Sequence, residues 1–226
     1  MYNDETIFAI IPARGGSKGI KDKNIYPING SPLISYTINA AKGSKFVDYV
    51  MVSTDSQSIA DTARQYGADV PFMRPAELAS DTSRTIDAIV SAIGMLRERG
   101  KTYDVLVLLQ PTSPLRTSED IDKAIELYYT EGKRSLLSVS EVKDNPVLIR
   151  RLQGNNAIPI LNVSSTVRRQ DFERFYRVNG AIYINAVSEI DENTSFNDNE
   201  LGYVMEKSHS VDIDSLDDIK EAEKNM

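Results

Sequence analysis

The first 140 or so residues alternate between short continuous apolar runs and longer stretches with apolar residues at helical spacing. A continuous apolar run bounded by turns is typical of a strand buried on both faces, whereas spacings of three and four residues predict an amphipathic helix. With the C-terminal part included, the patterns predict strands at residues 7–11, 49–54, 69–73, 104–109, 135–142, 181–185 and 210–214. They predict helices at residues 32–42, 55–67, 85–100, 117–132 and 215–226.

Strands that alternate with helices predict an α/β fold with a doubly wound, mainly parallel sheet. Ligands of such folds bind outside the carboxyl ends of the strands. We find no repeat and no low-complexity linker, and we predict a single domain over residues 1–226. Residues 143–176 break the rhythm, since they have no clean period and carry five arginines. We interpret them as an excursion from the sheet, either a lid or a dimerisation arm.

Composition narrows the class of protein. The formal net charge is -7, which argues against non-specific binding to nucleic acid or to an anionic membrane. The chain has no cysteine, which excludes disulfides and thiolate catalysis. The polar start is unlike a secretory signal, and no apolar run approaches the roughly 20 residues that span a bilayer. We therefore expect a cytoplasmic enzyme or binding protein.

A basic, glycine-rich stretch follows the first predicted strand. Residues 10–25 read IIPARGGSKGIKDKNI and hold four basic side chains and three glycines. Glycines let backbone N–H groups approach an anion, and lysine and arginine neutralise it, so the stretch suits a phosphate. Neither GxGxxG nor GxxxxGK[ST] is present. A solvated basic turn explains this stretch alone equally well.

Two further stretches suggest binding chemistry. The loop after the strand at 104–109 has two prolines that stiffen it and polar side chains from Gln110 to Arg116, which suits a substrate platform or a helix entry. On an extended strand, Asp212 and Asp214 would face the same way and repel each other unless a cation lies between them. Magnesium favours such oxygen ligands. Alternatively Asp214 caps the last helix. We expect the single histidine, His209, to be an exposed side chain.

Six motifs occur in the order that is seen in the acylneuraminate cytidylyltransferases (CMP-sialic acid synthetases), and the chain resembles that family from about residue 7 to its C-terminus. They are IPARGGSKGIKDKN, VSTD, RPAELASDTS, LLQPTSPLR, RVNGAIYIN and DID. The resemblance implies a Rossmann-like nucleotidyltransferase fold and the transfer of CMP from CTP to the anomeric hydroxyl of a nine-carbon 2-keto sugar acid, with release of pyrophosphate. It also implies a homodimer.

The resemblance assigns roles residue by residue. It implies a nucleotide site of Arg14, Gly15, Ser17, Lys18, Lys23, Asn24, Arg74 and Ser83, a sugar site of Gln110, Arg169, Arg177 and Phe196, and magnesium ligands Asp212 and Asp214. Arg14, Lys23 and Asp212 would be catalytic. Arg14 and Lys23 would spread the charge of the leaving pyrophosphate. Asp212 or a metal-bound hydroxide could take the proton of the attacking hydroxyl.

The sequence departs from the family near the sugar. Leu148 stands where sialic acid members can carry lysine, and an aromatic pair is reduced to Phe196 followed by Asn197. N-acetylneuraminate and a relative such as legionaminate are both candidate substrates. Two rival functions stay open, a nucleotide-binding regulatory protein without transferase activity and a nucleotidyltransferase for another sugar.

Overall fold

A computed structural model describes residues 2–17, 19–163, 166, 168 and 172–226. The strands are β1 (Ile7–Pro12), β2 (Pro27–Ile28), β3 (Ser31–Pro32), β4 (Tyr49–Ser53), β5 (Val105–Leu109), β6 (Leu136–Glu141), β7 (Arg150–Gln153), β8 (Asn156–Pro159), β9 (Tyr176–Ala186) and β10 (Leu201–Val204). The α-helices are α1 (Leu33–Gly43), α2 (Gln57–Gln65), α3 (Thr85–Glu98), α4 (Ser118–Thr130) and α5 (Leu216–Asn225). No helix within these described ranges is long and apolar enough to cross a membrane.

The central sheet has six strands in the order β10-β6-β9-β5-β1-β4. β1 is parallel to both β4 and β5, and β6 is parallel to β10. β9 runs antiparallel between β5 and β6. The start of β9 therefore lies at the same end of the sheet as the carboxyl ends of β5 and β6. The predicted α/β fold with a mainly parallel sheet is confirmed, and the antiparallel insertion of β9 is a feature that the apolar pattern did not reveal.

The sheet is covered on both faces because side chains alternate along each strand. From β1, Ile7 and Ile11 pack in one apolar cluster with residues of α1, α2 and α4. Phe8 and Ile10 point the other way and pack against α3. The helix α4 begins with a capping box, in which Thr117 and Asp120 satisfy each other's backbone N–H groups.

Two predicted strands are wrong. Residues 69–73 contribute only an isolated bridge between Asp69 and Met51, because Pro71 has no N–H to extend a ladder. Residues 210–214 form no strand, and their backbone instead reaches the platform loop through a hydrogen bond from Ile213 N to Thr112 O of 2.8 Å. One edge strand of the sheet is β10, which the sequence patterns did not identify.

The excursion at residues 143–176 contains the small antiparallel hairpin of β7 and β8. Gly154 has a φ of 60° in the turn between the two strands, a conformation that glycine adopts without steric cost. Several large apolar side chains in this excursion are exposed, and Leu152 reaches 72%. The dimerisation role and the single-domain organisation stay predictions.

Candidate active site

A cavity of about 380 Å³ lies at the carboxyl ends of β1, β4 and β5. The chain leaves β1 just before Arg14 and leaves β5 at Gln110, so the sheet brings these segments together. Predicted site residues that line this cavity are Arg14, Ser17, Lys23, Asn24, Arg74, Gln110 and Asp214. A phosphate-sized anion would meet three cationic side chains here.

The glycine-rich loop is held in shape by its neighbours. Gly15 N donates a hydrogen bond of 2.8 Å to Asp55 Oδ1, and Asn24 Nδ2 donates one of 3.0 Å to the carbonyl of Arg14. Arg14 Nη1 contacts Asp81 Oδ1 at 2.7 Å. The guanidinium of Arg14 therefore already holds one carboxylate, and an arriving phosphate would compete with Asp81.

The loop also touches the acidic segment. A Cβ at Gly19 would lie 2.9 Å from the carbonyl oxygen of Asp214, so any other residue at position 19 would push the segment away. Lys23 Nζ donates to the carbonyl of Ile213 at 2.9 Å and contacts Asp214 Oδ1 at 3.2 Å. These contacts bring residues from the two ends of the chain to one place.

Arg74 is fixed to the end of β4. Its Nη2 donates to the carbonyl of Ser53 at 2.6 Å, and its Nε donates to the Ser53 hydroxyl at 3.1 Å. Burial lowers the pKa of Arg74, the carboxylate of Asp55 opposes that shift, and Arg14 adds to it. The guanidinium of Arg74 is thus held in a fixed position in the wall of the cavity.

A second cavity, of about 580 Å³, adjoins the first, and Asp214 lines both. Arg177 and Asp212 line the second cavity. Burial raises the pKa of the Asp212 carboxyl, and the nearby Asp214 raises it further. A hydrogen bond from Thr112 and the charges of Lys23 and Arg177 partly oppose that rise. The pair therefore carries negative charge that its surroundings do not fully compensate.

Asp214 does not cap the last helix, which corrects that alternative. Ser215 is the N-cap of α5, and it forms a capping box with Asp218. Asp218 Oδ2 accepts the backbone N–H groups of both Asp214 and Ser215, at 3.0 and 2.7 Å. The helix start is thus satisfied without the Asp214 carboxylate, whose side chain is 80% exposed toward the cavities.

Gln110 packs against a bulge in β9. The register between β6 and β9 shifts between Leu137 and Val139, and Gly180 has a φ of 75° opposite this irregularity. A Cβ at Gly180 would lie 3.5 Å from Gln110 Oε1. The glycine thus gives the backbone its bulge and lets the Gln110 amide lie beside it.

The sequence profile of the family described as "Cytidylyltransferase" matches residues 8–183. The chain belongs to this cytidylyltransferase family. It is 40% identical to a CMP-N,N'-diacetyllegionaminic acid synthase of Legionella pneumophila over 97% of this chain and 96% of that protein. It is 31% identical to a pseudaminic acid cytidylyltransferase of Campylobacter jejuni, over 93% and 92% of the two chains.

An N-acylneuraminate cytidylyltransferase of Escherichia coli is 36% identical over 95% of this chain, which spans about 50% of the length of that relative. Among solved structures, a CMP:2-keto-3-deoxy-manno-octonic acid synthetase complexed with CTP has a TM-score of 0.71 at 16% identity and covers 97% of both chains. A 4-diphosphocytidyl-2C-methyl-D-erythritol synthase has a TM-score of 0.70 at 12% identity and covers 98% of both. These structures share the fold.

Some predicted site residues of this cytidylyltransferase line neither cavity. Ser83 donates to the carbonyl of Glu77 at 2.7 Å within its own loop. Phe196 is buried in the core beside Tyr183, and the Tyr183 hydroxyl donates to Asn197 at 2.8 Å. Asn197, the residue at which the aromatic pair of the family is reduced, thus accepts a hydrogen bond from the Tyr183 hydroxyl. Lys18 and Arg169 lie outside the described residues.

Sequence reasoning did not assign three residues that the structure brings into the site. Asp55 fixes the glycine-rich loop, Asp81 pairs with Arg14, and Thr112 holds Asp212. All three lie in motifs that carry the family resemblance (VSTD, RPAELASDTS and LLQPTSPLR). The motifs were therefore the available signal, but the partners of their side chains depend on the fold.

Proposed function

We propose that this cytidylyltransferase transfers CMP from CTP to the anomeric hydroxyl of a nine-carbon 2-keto sugar acid and releases pyrophosphate. The observation that carries the proposal is the pair of adjoining cavities. One is lined by Arg14, Lys23 and Arg74, the other by Arg177, and Asp214 lines both. Such a pair can hold a nucleotide triphosphate beside a carboxylate-bearing acceptor.

The first cavity, which would hold the nucleotide, stabilises negative charge on the leaving pyrophosphate. In the reaction, the bond between the α-phosphorus and the oxygen bridging to the β-phosphate breaks, and negative charge builds on pyrophosphate. Arg14 and Lys23 line the cavity from a segment whose backbone is already fixed, so only their side-chain contacts have to change when they meet that charge. Phosphate would take the place of Asp81 on Arg14.

The acceptor half binds and orients the sugar acid. Arg177 is exposed at the start of β9 and can hold the substrate carboxylate with two charge-assisted hydrogen bonds. The anomeric oxygen then forms its bond to the α-phosphorus and loses its proton. Asp212 lines this cavity and is a carboxylate suited to accept that proton, and burial raises the pKa of its carboxyl.

The acid pair also fits magnesium. Asp212 and Asp214 offer carboxylate oxygens, and their charge is incompletely compensated, which a cation would relieve. Magnesium commonly takes one or two carboxylates and completes its shell with water and phosphate oxygens. When bound, it would supply positive charge to the triphosphate and its developing negative charge.

We propose a 9-deoxy nonulosonic acid of the legionaminate type as the preferred acceptor. The support is the similarity over nearly the full length of both chains to the Legionella pneumophila synthase, together with Leu148, which lines a further cavity that shares residues 141–144 with the second cavity. Leu148 offers no polar contact to a hydroxylated sugar tail. N-acetylneuraminate remains an acceptor of the same chemical class, and we expect it to be used no better.

A pyrophosphate-release assay tests these proposals. It crosses CTP, UTP, ATP and GTP with N-acetylneuraminate, N,N'-diacetyllegionaminate, pseudaminate and a hexose phosphate. We expect release with CTP and a nonulosonic acid, and most with N,N'-diacetyllegionaminate. Equal turnover with UTP or ATP would contradict CTP as donor. Release with the hexose phosphate alone would favour a different sugar, and CTP binding without release would favour a regulatory protein.

We also propose that the protein is a homodimer through residues 143–176. Leu148, Leu152, Ile160 and Val163 expose large apolar surfaces in this excursion, which is unusual on a lone monomer. Arg177 follows the excursion directly, so a partner seated there would also cover the acceptor side of the cavity.

A further inference from the structure

Arg116 is a buried arginine beneath the platform loop that follows β5. Only 2% of it is exposed. Its Nη1 donates to the carbonyl of Gln110 at 3.1 Å and to the carbonyl of Ala181 at 2.9 Å. One nitrogen thus fastens the end of β5 to β9, next to the bulge at Gly180.

The guanidinium of Arg116 is removed from water and only partly hydrogen-bonded. Its Nε and Nη2 are buried and have no hydrogen-bond partner among the described residues. Burial lowers the pKa of Arg116 to about 9, although the charge of Asp120 opposes the shift. Replacing a buried charge with an apolar side chain of similar size is often neutral or stabilising. An arginine here therefore calls for a reason other than stability.

The two carbonyls that Arg116 binds flank the acceptor platform. Gln110 lines the first cavity, and its amide lies beside Gly180. Arg177 is on the same strand as Ala181 and lines the second cavity. Fastening Gln110 to Ala181 consequently sets the position of the Gln110 amide relative to the strand that carries Arg177.

Asp120 extends the connection to the acidic segment. It accepts the Tyr203 hydroxyl at 3.3 Å, and its Oδ2 lies 2.9 Å from Nδ1 of His209. His209 precedes Asp212 by three residues and is only partly exposed, unlike the exposed side chain that we expected. Arg116 and Asp120 are both buried, and the charge of Asp120 acts on Arg116, so the two lie between the platform, the β9 bulge and the segment of the acid pair.

We propose that Arg116 is a positioning residue for the acceptor: by fastening the carbonyls of Gln110 and Ala181 it sets the Gln110 amide against β9 and so the affinity for the sugar acid. This inference rests on the proposed function. It assigns Arg116 no contact with substrate.

The test compares Arg116→Met and Arg116→Lys with Asn185→Ala as a matched control. Asn185 is also a buried polar residue of β9, but it pairs with Asn199 at the opposite end of the strand and lines neither cavity. For Arg116→Met we expect the KM of the sugar acid to rise about tenfold or more and the KM of CTP to rise by a smaller factor, since Gln110 also lines the nucleotide cavity. For Asn185→Ala we expect both values to stay within about twofold of the unaltered enzyme, whatever stability it loses.

Arg116→Lys should recover part of the loss. Both hydrogen bonds of Arg116 come from a single nitrogen. The ammonium of lysine has three donors but ends one atom short of that position, so it can restore the bonds only in part. Kinetics of Arg116→Met that match those of Asn185→Ala would overturn the inference, as would an equal rise in both KM values.

If the unaltered protein releases no pyrophosphate, the proposed function fails and kinetics cannot test the role of Arg116. Hydrogen exchange of backbone amides then tests that role directly. Amides of residues 110–116 and 180–182 should exchange faster in Arg116→Met than in Asn185→Ala. Equal exchange in the two variants would overturn the positioning role on its own.

Discussion

The ammonium of Lys23 lies 3.2 Å from Oδ1 of Asp214, across 191 residues of sequence. The same nitrogen donates to the carbonyl of Ile213 at 2.9 Å. Through this lysine the basic glycine-rich loop is fastened to the acidic segment near the C-terminus. A triphosphate that binds the loop is thus placed beside the two carboxylates.

We expect Asp212→Asn and Asp214→Asn each to lower turnover about 100-fold or more, because each change would remove an anionic ligand from the proposed magnesium ion, which would supply several kcal/mol of transition-state stabilisation. Pyrophosphate release over a range of Mg²⁺ concentrations measures the effect, and a chelator should abolish release by the unaltered enzyme. Asp217→Asn is the control, since Asp217 lies in the first turn of α5, just after the acid pair, with its side chain 88% exposed and paired with Lys220.

The capping of α5 allows an effect of Asp214→Asn on turnover to be separated from an effect on stability. Because Ser215 and Asp218 cap α5, this variant should unfold at nearly the same denaturant concentration as the unaltered protein. Near-normal turnover of Asp214→Asn at low Mg²⁺ would contradict a metal role for its carboxylate.

Arg14→Ala and Arg177→Ala should each affect the KM of a different substrate. Arg14 lines the nucleotide cavity, so its loss should raise the KM of CTP and lower turnover. Arg177→Ala should instead raise the KM of the sugar acid about tenfold or more, because two charge-assisted hydrogen bonds to a carboxylate are lost. Initial rates with each substrate varied in turn give both values.

Arg134→Ala is the control for that pair, since Arg134 makes exposed ion pairs with Glu131 and Glu200 and should leave both KM values nearly unchanged. Arg169→Ala is expected to behave like Arg177→Ala, a prediction that rests on the resemblance alone. Equal effects of Arg14→Ala and Arg177→Ala on the two substrates would contradict the division of the site.

Leu152→Asp should dissociate the proposed homodimer. We expect the unaltered protein to scatter light with twice the 25.2 kDa mass of one chain, and the variant to approach the monomer mass, because a charge would be buried in an apolar interface. Leu216→Asp changes another exposed leucine, which lies outside the excursion, and this variant should stay dimeric. A monomer mass for the unaltered protein at micromolar concentration would refute the proposal.

Asp104→Asn should destabilise the protein in a pH-dependent way. Asp104 accepts hydrogen bonds from the backbone N–H and the hydroxyl of Thr6, each 2.8 Å, and these bonds hold its pKa below the ordinary 3.8. A carboxyl with a depressed pKa in the folded state stabilises it above the unfolded value, and that stability is lost as pH falls through the folded pKa.

Urea unfolding of Asp104→Asn and the unaltered protein should therefore differ most near neutral pH, with a difference that shrinks progressively below the ordinary value of 3.8. Thr6→Val removes the hydroxyl, which donates to Asp104 Oδ2 and accepts the Asp104 backbone N–H, but it keeps the backbone donor to the carboxylate. Its pH-dependent effect should therefore be smaller than that of Asp104→Asn. A difference that stayed constant down to low pH would contradict this account.

The sequence by itself determined the elements that bury apolar residues. Runs such as residues 7–11 and 104–109 have no polar face, so they can only be interior strands, and the helix over Thr85–Glu98 follows from its apolar stripe. Motif order and the resemblance then indicated the cytidylyltransferase family and the basic loop, because both depend on residue identity along the chain.

Only the tertiary structure decided which segments meet. The strand predicted at residues 210–214 does not form, yet its two acids reach the site through contacts with Thr112, Lys23 and Gly19. Asp214 could be read as a cap or as a ligand until Ser215 was seen to occupy the cap. Local patterns report backbone preference and burial, whereas a functional site depends on side chains that are close in space and far apart in sequence, and no period in the chain encodes that distance.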